Sequence, residues 1–247
     1  MTHERDLTDY DLVRYDRQIM LRGIGEEGQM KLKGTRVFVA GCGGLGSPVA
    51  YYLAAAGFGS LVLADMDIVD LSNLNRQILH WDSNIGEKKV KSAYEKLAQL
   101  NPEIEVNPLD MEINEFNVYE VTKGCDVIVD CLDNFEARYL LNRASLKHGI
   151  PFIHASIWGM EGRVTTFVPG KTPCLECIFP KAPPQEKFPV LGATAGVLGA
   201  IQVTEAAKVV LGIGEPLLSR LLVYDGEYMQ FHEVRLERNP ECPACRI

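Results

Sequence analysis

Four of the chain's seven cysteines fall in two C-x-x-C pairs, Cys174/Cys177 and Cys242/Cys245. Each pair can offer two thiolates to one ion from a single knuckle, and together they form the four-sulfur set of a structural zinc (Zn2+) site. Four cysteines leave no open coordination position, so such a site would staple the C-terminal tail to the segment around Cys174 rather than catalyse. A redox dithiol would need a pair at a helix N-terminus, and neither pair reads that way. Cys42, Cys125 and Cys131 lie in glycine-rich or apolar runs and read as small packing residues. His154 has no histidine partner at metal or triad spacing and reads as packed or hydrogen-bonded.

The second chemical signal is Thr35-Arg-Val-Phe-Val-Ala-Gly-Cys-Gly-Gly-Leu-Gly-Ser47, an apolar run that empties into a glycine-rich turn. It reads as strand, phosphate loop and helix. Gly41, Gly43 and Gly46 match G-x-G-x-x-G: one glycine for the tight turn, one for approach to phosphate, one for close helix–strand packing. A helix starting near Gly44 would aim free N–H groups and its positive dipole end at an anion. Asp65 closes the next apolar run about 20 residues on, where a carboxylate accepts ribose hydroxyls and repels a 2′-phosphate, which disfavours NADP. Asp67 follows at the same strand end. Taken alone, the loop suggests NAD or FAD.

The charges around it point elsewhere. An asparagine-rich stretch, Leu71-Ser-Asn-Leu-Asn-Arg-Gln-Ile-Leu79, stands where a plain Rossmann unit would enter its next helix. Lys88, Lys89 and Lys91 then crowd the start of a helix running to about Leu100. Cations are unfavourable there, which suggests an anionic partner, with Lys89 facing phosphate and the other two solvated. Asp133 ends a β-forming run before a helix over 135–148, as a helix N-cap or as a ligand for metal and phosphate. Arg17, Arg76 and Lys89, with Asp133 able to hold Mg2+, are what adenylyl or phosphoryl transfer needs to stabilise charge on a leaving pyrophosphate.

These residues need a scaffold, and the pattern supplies an α/β one. Residues 7–33 read as an amphipathic helical arm, packed on its own domain or contacting another subunit with an arginine. Alternating strands and helices follow through 150, including a strand over 103–108 and a helix over 114–123, in the manner of a parallel Rossmann-like sheet. Runs 152–158 and 162–168 form a hairpin that makes the sheet mixed. A proline-rich crossover, 179–190, reads as an extended or mobile loop, followed by an apolar helix over 195–211 and two closing strands. The 247 residues (47% hydrophobic) read as one domain, 1–247: the arm 1–33, a Rossmann-like half 34–150 and a mixed-sheet half 151–247. The net charge of -8 and pI near 5.2 argue against general nucleic-acid or anionic-membrane binding. The 195–211 run has too many polar interruptions for a membrane span, and the polar start lacks a signal-peptide apolar region, so we expect a cytoplasmic protein.

Assembled, the motifs resemble the ubiquitin-activating-type adenylyltransferases, in particular the bacterial molybdopterin-synthase and thiazole-biosynthesis enzymes. The resemblance runs from Arg14-Tyr-Asp-Arg-Gln-Ile19 through Gly41-Cys-Gly-Gly-Leu-Gly46, Asp65-Met-Asp67, Ser72-Asn-Leu-Asn-Arg-Gln77, Lys89-Val90 and Asp133-Asn134 to both C-x-x-C pairs. It implies that Asp65 holds the ribose, that Asn73, Arg76 and Lys89 hold the phosphates of ATP, and that Asp133 serves the metal and α-phosphate. It also implies a homodimer in which Arg17 comes from the neighbouring subunit. The implied reaction is adenylation of the C-terminal glycine carboxylate of a small ubiquitin-like carrier ending in Gly-Gly. Many relatives carry a cysteine in a Cys-x-x-x-Gly-Val pattern after the crossover; here the stretch is Gly192-Ala-Thr-Ala-Gly-Val197. We therefore expect adenylation without a covalent thioester, and a separate sulfur donor, since no rhodanese-like extension follows Ile247. The rival readings are an NAD-dependent oxidoreductase, for which no acid–base pair is evident, a non-enzymatic nucleotide-binding scaffold, and a relative that adenylates a peptide or other carboxylate.

Overall fold

The computed structural model describes residues 6–183 and 188–246. The first five residues and the middle of the proline-rich crossover, on which the signal-peptide and mobile-loop expectations fall, lie outside them. The chain opens with α1 (Asp9–Arg14), α2 (Asp16–Ile19) and α3 (Gly25–Gly34). The single arm helix expected over 7–33 is thus three short ones: α1 stops at Tyr15, whose φ of -101° and ψ of 11° leave the helical region, and Gly23 and Gly25, at φ 91° and 59°, cannot continue a right-handed helix between α2 and α3.

Strand β1 (Arg36–Ala40) leads to α4 (Gly46–Ala56), β2 (Ser60–Ala64), α5 (Lys89–Leu100) and β3 (Glu105–Leu109). Next come α6 (Val118–Val121), β4 (Val127–Asp130), α7 (Phe135–His148) and the hairpin β5 (Phe152–Trp158) and β6 (Glu161–Phe167). Then follow α8 (Leu175–Ile178), α9 (Gly192–Leu211), β7 (Arg220–Asp225) and β8 (Gln230–Arg235). The helix expected over 114–123 shrinks to the four residues of α6. Helix α7 has the expected bounds: Asn134 accepts the Ala137 N–H at 2.9 Å to cap its start, and Gly149 ends it in the left-handed conformation.

All eight strands form one mixed sheet in the order β3-β2-β1-β4-β5-β6-β7-β8, parallel through β5 and antiparallel beyond it. Alternation along β1 serves two cores. Val37 and Val39 face the cluster built with α4, α5 and α9, whereas Phe38 and Ala40 face the one built with α6 and α7. Burial on both faces explains why the central strands are almost continuously apolar. Helix α9 is the one helix among the described residues long and apolar enough to cross a membrane, yet half of that window is buried. Its polar interruptions are used inside the fold: Gln202 donates to the carbonyls of Asp130 (2.8 Å) and Ile153 (3.3 Å), and Glu205 accepts from the Thr166 hydroxyl and the Leu217 N–H, both at 2.7 Å.

Candidate nucleotide site and cysteine cluster

The parallel strands β1, β2 and β4 point their carboxyl ends at one edge of the sheet, where ligands of open α/β sheets bind. The glycine loop lies at that edge and each glycine has its own reason. Gly41 has φ 94°, and a Cβ there would meet the Cys131 carbonyl oxygen at 2.8 Å. At Gly46 a Cβ would fall 2.0 Å from the Gly41 oxygen, so only hydrogen fits where helix meets turn. A Cβ at Gly43 would meet nothing nearer than Gln77 Nε2 at 3.6 Å, which leaves its face open to a ligand. Helix α4 starts at Gly46. The N–H groups of Gly43, Gly44 and Leu45 have no partner among the described residues and head this 11-residue helix, a donor set that fits a phosphate chain.

Asp65 ties the loop to β2. Its two oxygens accept the N–H groups of Cys42 and Asp67, both at 2.8 Å. Burial raises its pKa from the ordinary carboxylate value, the Lys89 charge and these two donors offsetting part of the effect. Each oxygen keeps a lone pair for a ribose hydroxyl.

Lys89 opens α5 with its side chain 7% exposed and its Nζ 2.8 Å from Asp67 Oδ2. Lys88 pairs with Asp110 at 2.9 Å, and Lys91 lies between Glu87 (3.6 Å) and Glu95 (3.7 Å). The three lysines therefore have acidic partners within the chain, which corrects the argument that their crowding demands an external anion. Only Lys89 is buried.

Arg76 lies against the loop: a Cβ on Gly44 would touch its Cγ at 3.7 Å. The guanidinium donates to the Ser72 carbonyl and Asn75 Oδ1, both at 2.9 Å, and meets no carboxylate among the described residues. Asn73 spends its Oδ1 on the Asp70 N–H at 3.2 Å, keeping its amide NH2 free. On the other flank, the Leu132 side chain would lie 3.5 Å from a Cβ on Gly41. Asp133 follows, exposed and without a partner among the described residues; the N-cap of α7 is Asn134 and not Asp133.

Arg17 is not part of this grouping. Its neighbour Gln18 donates to the Ala56 carbonyl (2.9 Å) at the far end of α4. An 11-residue helix is about 16 Å long, beyond the reach of an arginine side chain from there to the loop. Arg17 is 93% exposed, close only to Asp16 at 4.0 Å.

Two buried networks escaped the sequence reading. His80 sits between Ser92 Oγ and the Cys42 carbonyl, 2.9 Å from each. Asp130, at the end of β4, pairs with Arg138 (3.2 Å) and His154 Nδ1 (2.6 Å). Burial alone would raise the Asp130 carboxyl, but the Arg138 charge and the His154 hydrogen bond outweigh it and hold it below its usual value. An acid inside Val127-Ile-Val-Asp130 was the available signal, since a charge in an apolar run needs a buried partner.

Across the molecule, the Sγ atoms of Cys174, Cys177, Cys242 and Cys245 all lie within 4.8 Å of one another. The Cys174–Cys242, Cys177–Cys245 and Cys174–Cys177 separations are 3.6, 3.4 and 3.9 Å. Four sulfurs about 2.3 Å from one tetrahedral zinc ion stand about 3.8 Å apart, so the donor set fits that ion. Cys42, Cys125 and Cys131 are buried, as expected of packing residues. At the start of α9, a Cβ on Gly192 would fall 2.4 Å from the Asn75 oxygen and 3.1 Å from Arg76 Cα.

A half-parallel sheet with a glycine loop at the carboxyl ends of its strands, and cations beside that loop, defines an α/β protein of the nucleotide-binding class. The chain belongs to the ThiF family, which it matches over residues 15–244. It is similar to the SAMP-activating enzyme E1 of Haloferax volcanii, with 45% identity over 99% of this chain and 92% of that protein. It is also similar to the adenylyltransferase and sulfurtransferase MOCS3 of Drosophila persimilis, with 41% identity over 99% of this chain but 56% of that longer protein. Among solved structures, E. coli MccB crystallised with AMPCPP and MccA superposes with a TM-score of 0.86 at 26% identity, covering 98% of this chain and 76% of that one. The chain is an adenylyltransferase, and its family implies the use of ATP.

Proposed function

We propose that this chain uses ATP to adenylate the C-terminal glycine carboxylate of a small ubiquitin-like sulfur-carrier protein. The observation that carries the reading is the placement of Arg76 and Lys89 around a glycine loop whose N–H groups are free. A dinucleotide's pyrophosphate is satisfied by loop and helix alone, whereas a leaving pyrophosphate needs added cations. The names of the SAMP-activating and MOCS3 relatives support a carrier protein as the acid. A carboxylate oxygen attacks the α-phosphorus, the bond to the β-phosphate oxygen breaks, and its electron pair leaves with pyrophosphate. Asp65 holds the ribose; Asn73, Arg76 and Lys89 hold the phosphates. Binding both reactants in line supplies much of the rate. Asp133 would hold Mg2+, which neutralises phosphate charge when bound.

The rest of the reading concerns assembly. The four cysteines hold a structural zinc ion. The enzyme works as a homodimer, in which the exposed arm, with Val13 80% and Met20 69% exposed, contacts the partner and Arg17 serves the other subunit's site. Sulfur comes from a separate donor. The unit 1–247 acts as one domain.

ATP–pyrophosphate exchange tests the reaction. Exchange that requires a carrier ending in Gly-Gly, with the carrier adenylate detected by mass, is the expected result. Tight NADH binding with no exchange in the presence of such carriers overturns it.

A further inference from the structure

The two peptides that flank the Cys42 α-carbon are held separately. Asp65 takes its N–H at 2.8 Å, and His80 Nε2 lies 2.9 Å from its carbonyl oxygen. A carbonyl only accepts, so Nε2 carries the hydrogen. Burial disfavours the charged imidazole, so Nδ1 is left as an acceptor for the Ser92 hydroxyl at 2.9 Å. Ser92 Oγ accepts in turn from the ammonium of Lys96 at 2.8 Å, which leaves its own hydrogen to point at His80. Lys96 is fixed in turn by Asn84 Oδ1 at 2.6 Å and by the Trp81 ring, whose centroid is 4.7 Å away. Every hydrogen in the chain from Lys96 through Ser92 and His80 to Cys42 therefore has one allowed direction.

Ser92 and Lys96 stand on α5, the helix whose first residue is Lys89. The network thus runs from the helix that carries the buried cation to the second residue of the glycine loop. Protein groups that must be held in one geometry are usually locked by such a supporting shell.

We propose that His80, as the neutral Nε2–H tautomer, is a positioning residue for the nucleotide: it fixes the Cys42 carbonyl so that the N–H groups following it face the phosphates, in register with Lys89. The proposal rests on the reading of the loop as an ATP site. Asp65 holds the preceding Gly41–Cys42 peptide, and the Gly43 N–H has no partner among the described residues, so losing His80 would leave the Cys42–Gly43 peptide with no anchor of its own and free to rotate. Its effect should fall on ATP and not on the carboxylate substrate.

Three substitutions separate this role from plain packing. In His80→Gln the amide nitrogen can occupy the Nε2 position and donate to Cys42. In His80→Asn the side-chain oxygen can occupy the Nδ1 position, serving Ser92 but not reaching Cys42. His80→Leu serves neither. The dissociation constant for ATP, by calorimetry on the purified full chain, should rise about tenfold in the Asn and Leu variants, the worth of one hydrogen bond, and stay within about threefold in Gln. The KM for the carrier should be unchanged in all three. Thermal unfolding without nucleotide reports packing separately, and Ser92→Ala, expected to weaken ATP binding in the same direction by less, covers a His80 variant that does not fold. ATP affinity that is unchanged in Leu, or that follows the melting temperature with Gln and Asn alike, overturns the positioning role while leaving the ATP site intact. A wild-type chain that binds no ATP overturns the nucleotide reading itself.

Discussion

Asp130 and Arg138 between them hold both backbone polar groups of Leu132: Asp130 Oδ1 accepts its N–H at 3.0 Å, and Arg138 Nη2 donates to its carbonyl oxygen. Leu132 is the residue before Asp133, so this ion pair sets where that carboxylate stands. Removing one partner of a buried pair leaves an uncompensated charge and costs about 3–5 kcal/mol. Arg138→Ala and Asp130→Ala should each lower the melting temperature by about 10 °C. The double variant should lose less than the sum, as measured by a thermal double-mutant cycle. Additive losses would show that the two side chains do not act as a pair.

The proposed homodimer, with Arg17 serving the other subunit's site, predicts complementation. Arg17→Ala and Arg76→Ala should each be inactive in carrier-dependent exchange. Co-refolded in equal amounts, half of the dimers are hybrids with one intact site of two, so about a quarter of the wild-type activity should return. No recovery on mixing, with hybrids shown to form, would place Arg17 outside the reaction.

His80 also makes the fold acid-sensitive. Burial pulls its pKa down from 6.5 to about 4, with the Lys96 and Lys89 charges adding to the shift and the Cys42 hydrogen bond opposing it. Between those two values the unfolded chain binds a proton that the folded chain does not, so stability rises with pH across this window. The contribution is complete above the unfolded value and is lost as pH falls toward about 4. It amounts to about 3 kcal/mol. His154, shifted down mainly by burial, adds in the same direction. Melting temperatures of wild-type and His80→Gln between pH 7 and 4 should converge toward the acid end; parallel curves would mean that His80 is not neutral in the folded chain.

The cysteine cluster predicts one zinc ion per chain, measurable by elemental analysis. Cys242→Ser should lose that ion and lower the melting temperature, while ATP affinity changes by less than about threefold because the cluster closes the tail and not the nucleotide edge. Equal loss of zinc and ATP binding would tie the two sites together.

Most of the sheet was legible because its strands are apolar runs that stop at glycine or at an acid, as β1 stops at Gly41 and β2 at Asp65. The arm was not, since its periodicity says nothing of the positive φ at Gly23 and Gly25. Individual site residues were readable where local spacing defines them, as for the glycines and the paired cysteines. Partnerships across the fold were hidden: His80 meets Cys42 across 38 positions of sequence, Asp130 meets His154 across 24, and Lys89 meets Asp67 across 22. Spacing could rank Lys89 above Lys88 and Lys91, but the acids that neutralise all three emerge only when the chain is folded.

The tight start of α9 sets a condition on how this enzyme could change its chemistry. No side chain of any kind fits at Gly192 while the Asn75–Arg76 backbone stays where it is. A cysteine gained there would push first on the segment that carries Arg76. A lineage moving from adenylation to a covalent sulfur or thioester step would have to relocate that segment before, or together with, acquiring the thiol. A cysteine at that position and the present course of the Asn75–Arg76 backbone exclude each other, so gaining the thiol means moving the arginine.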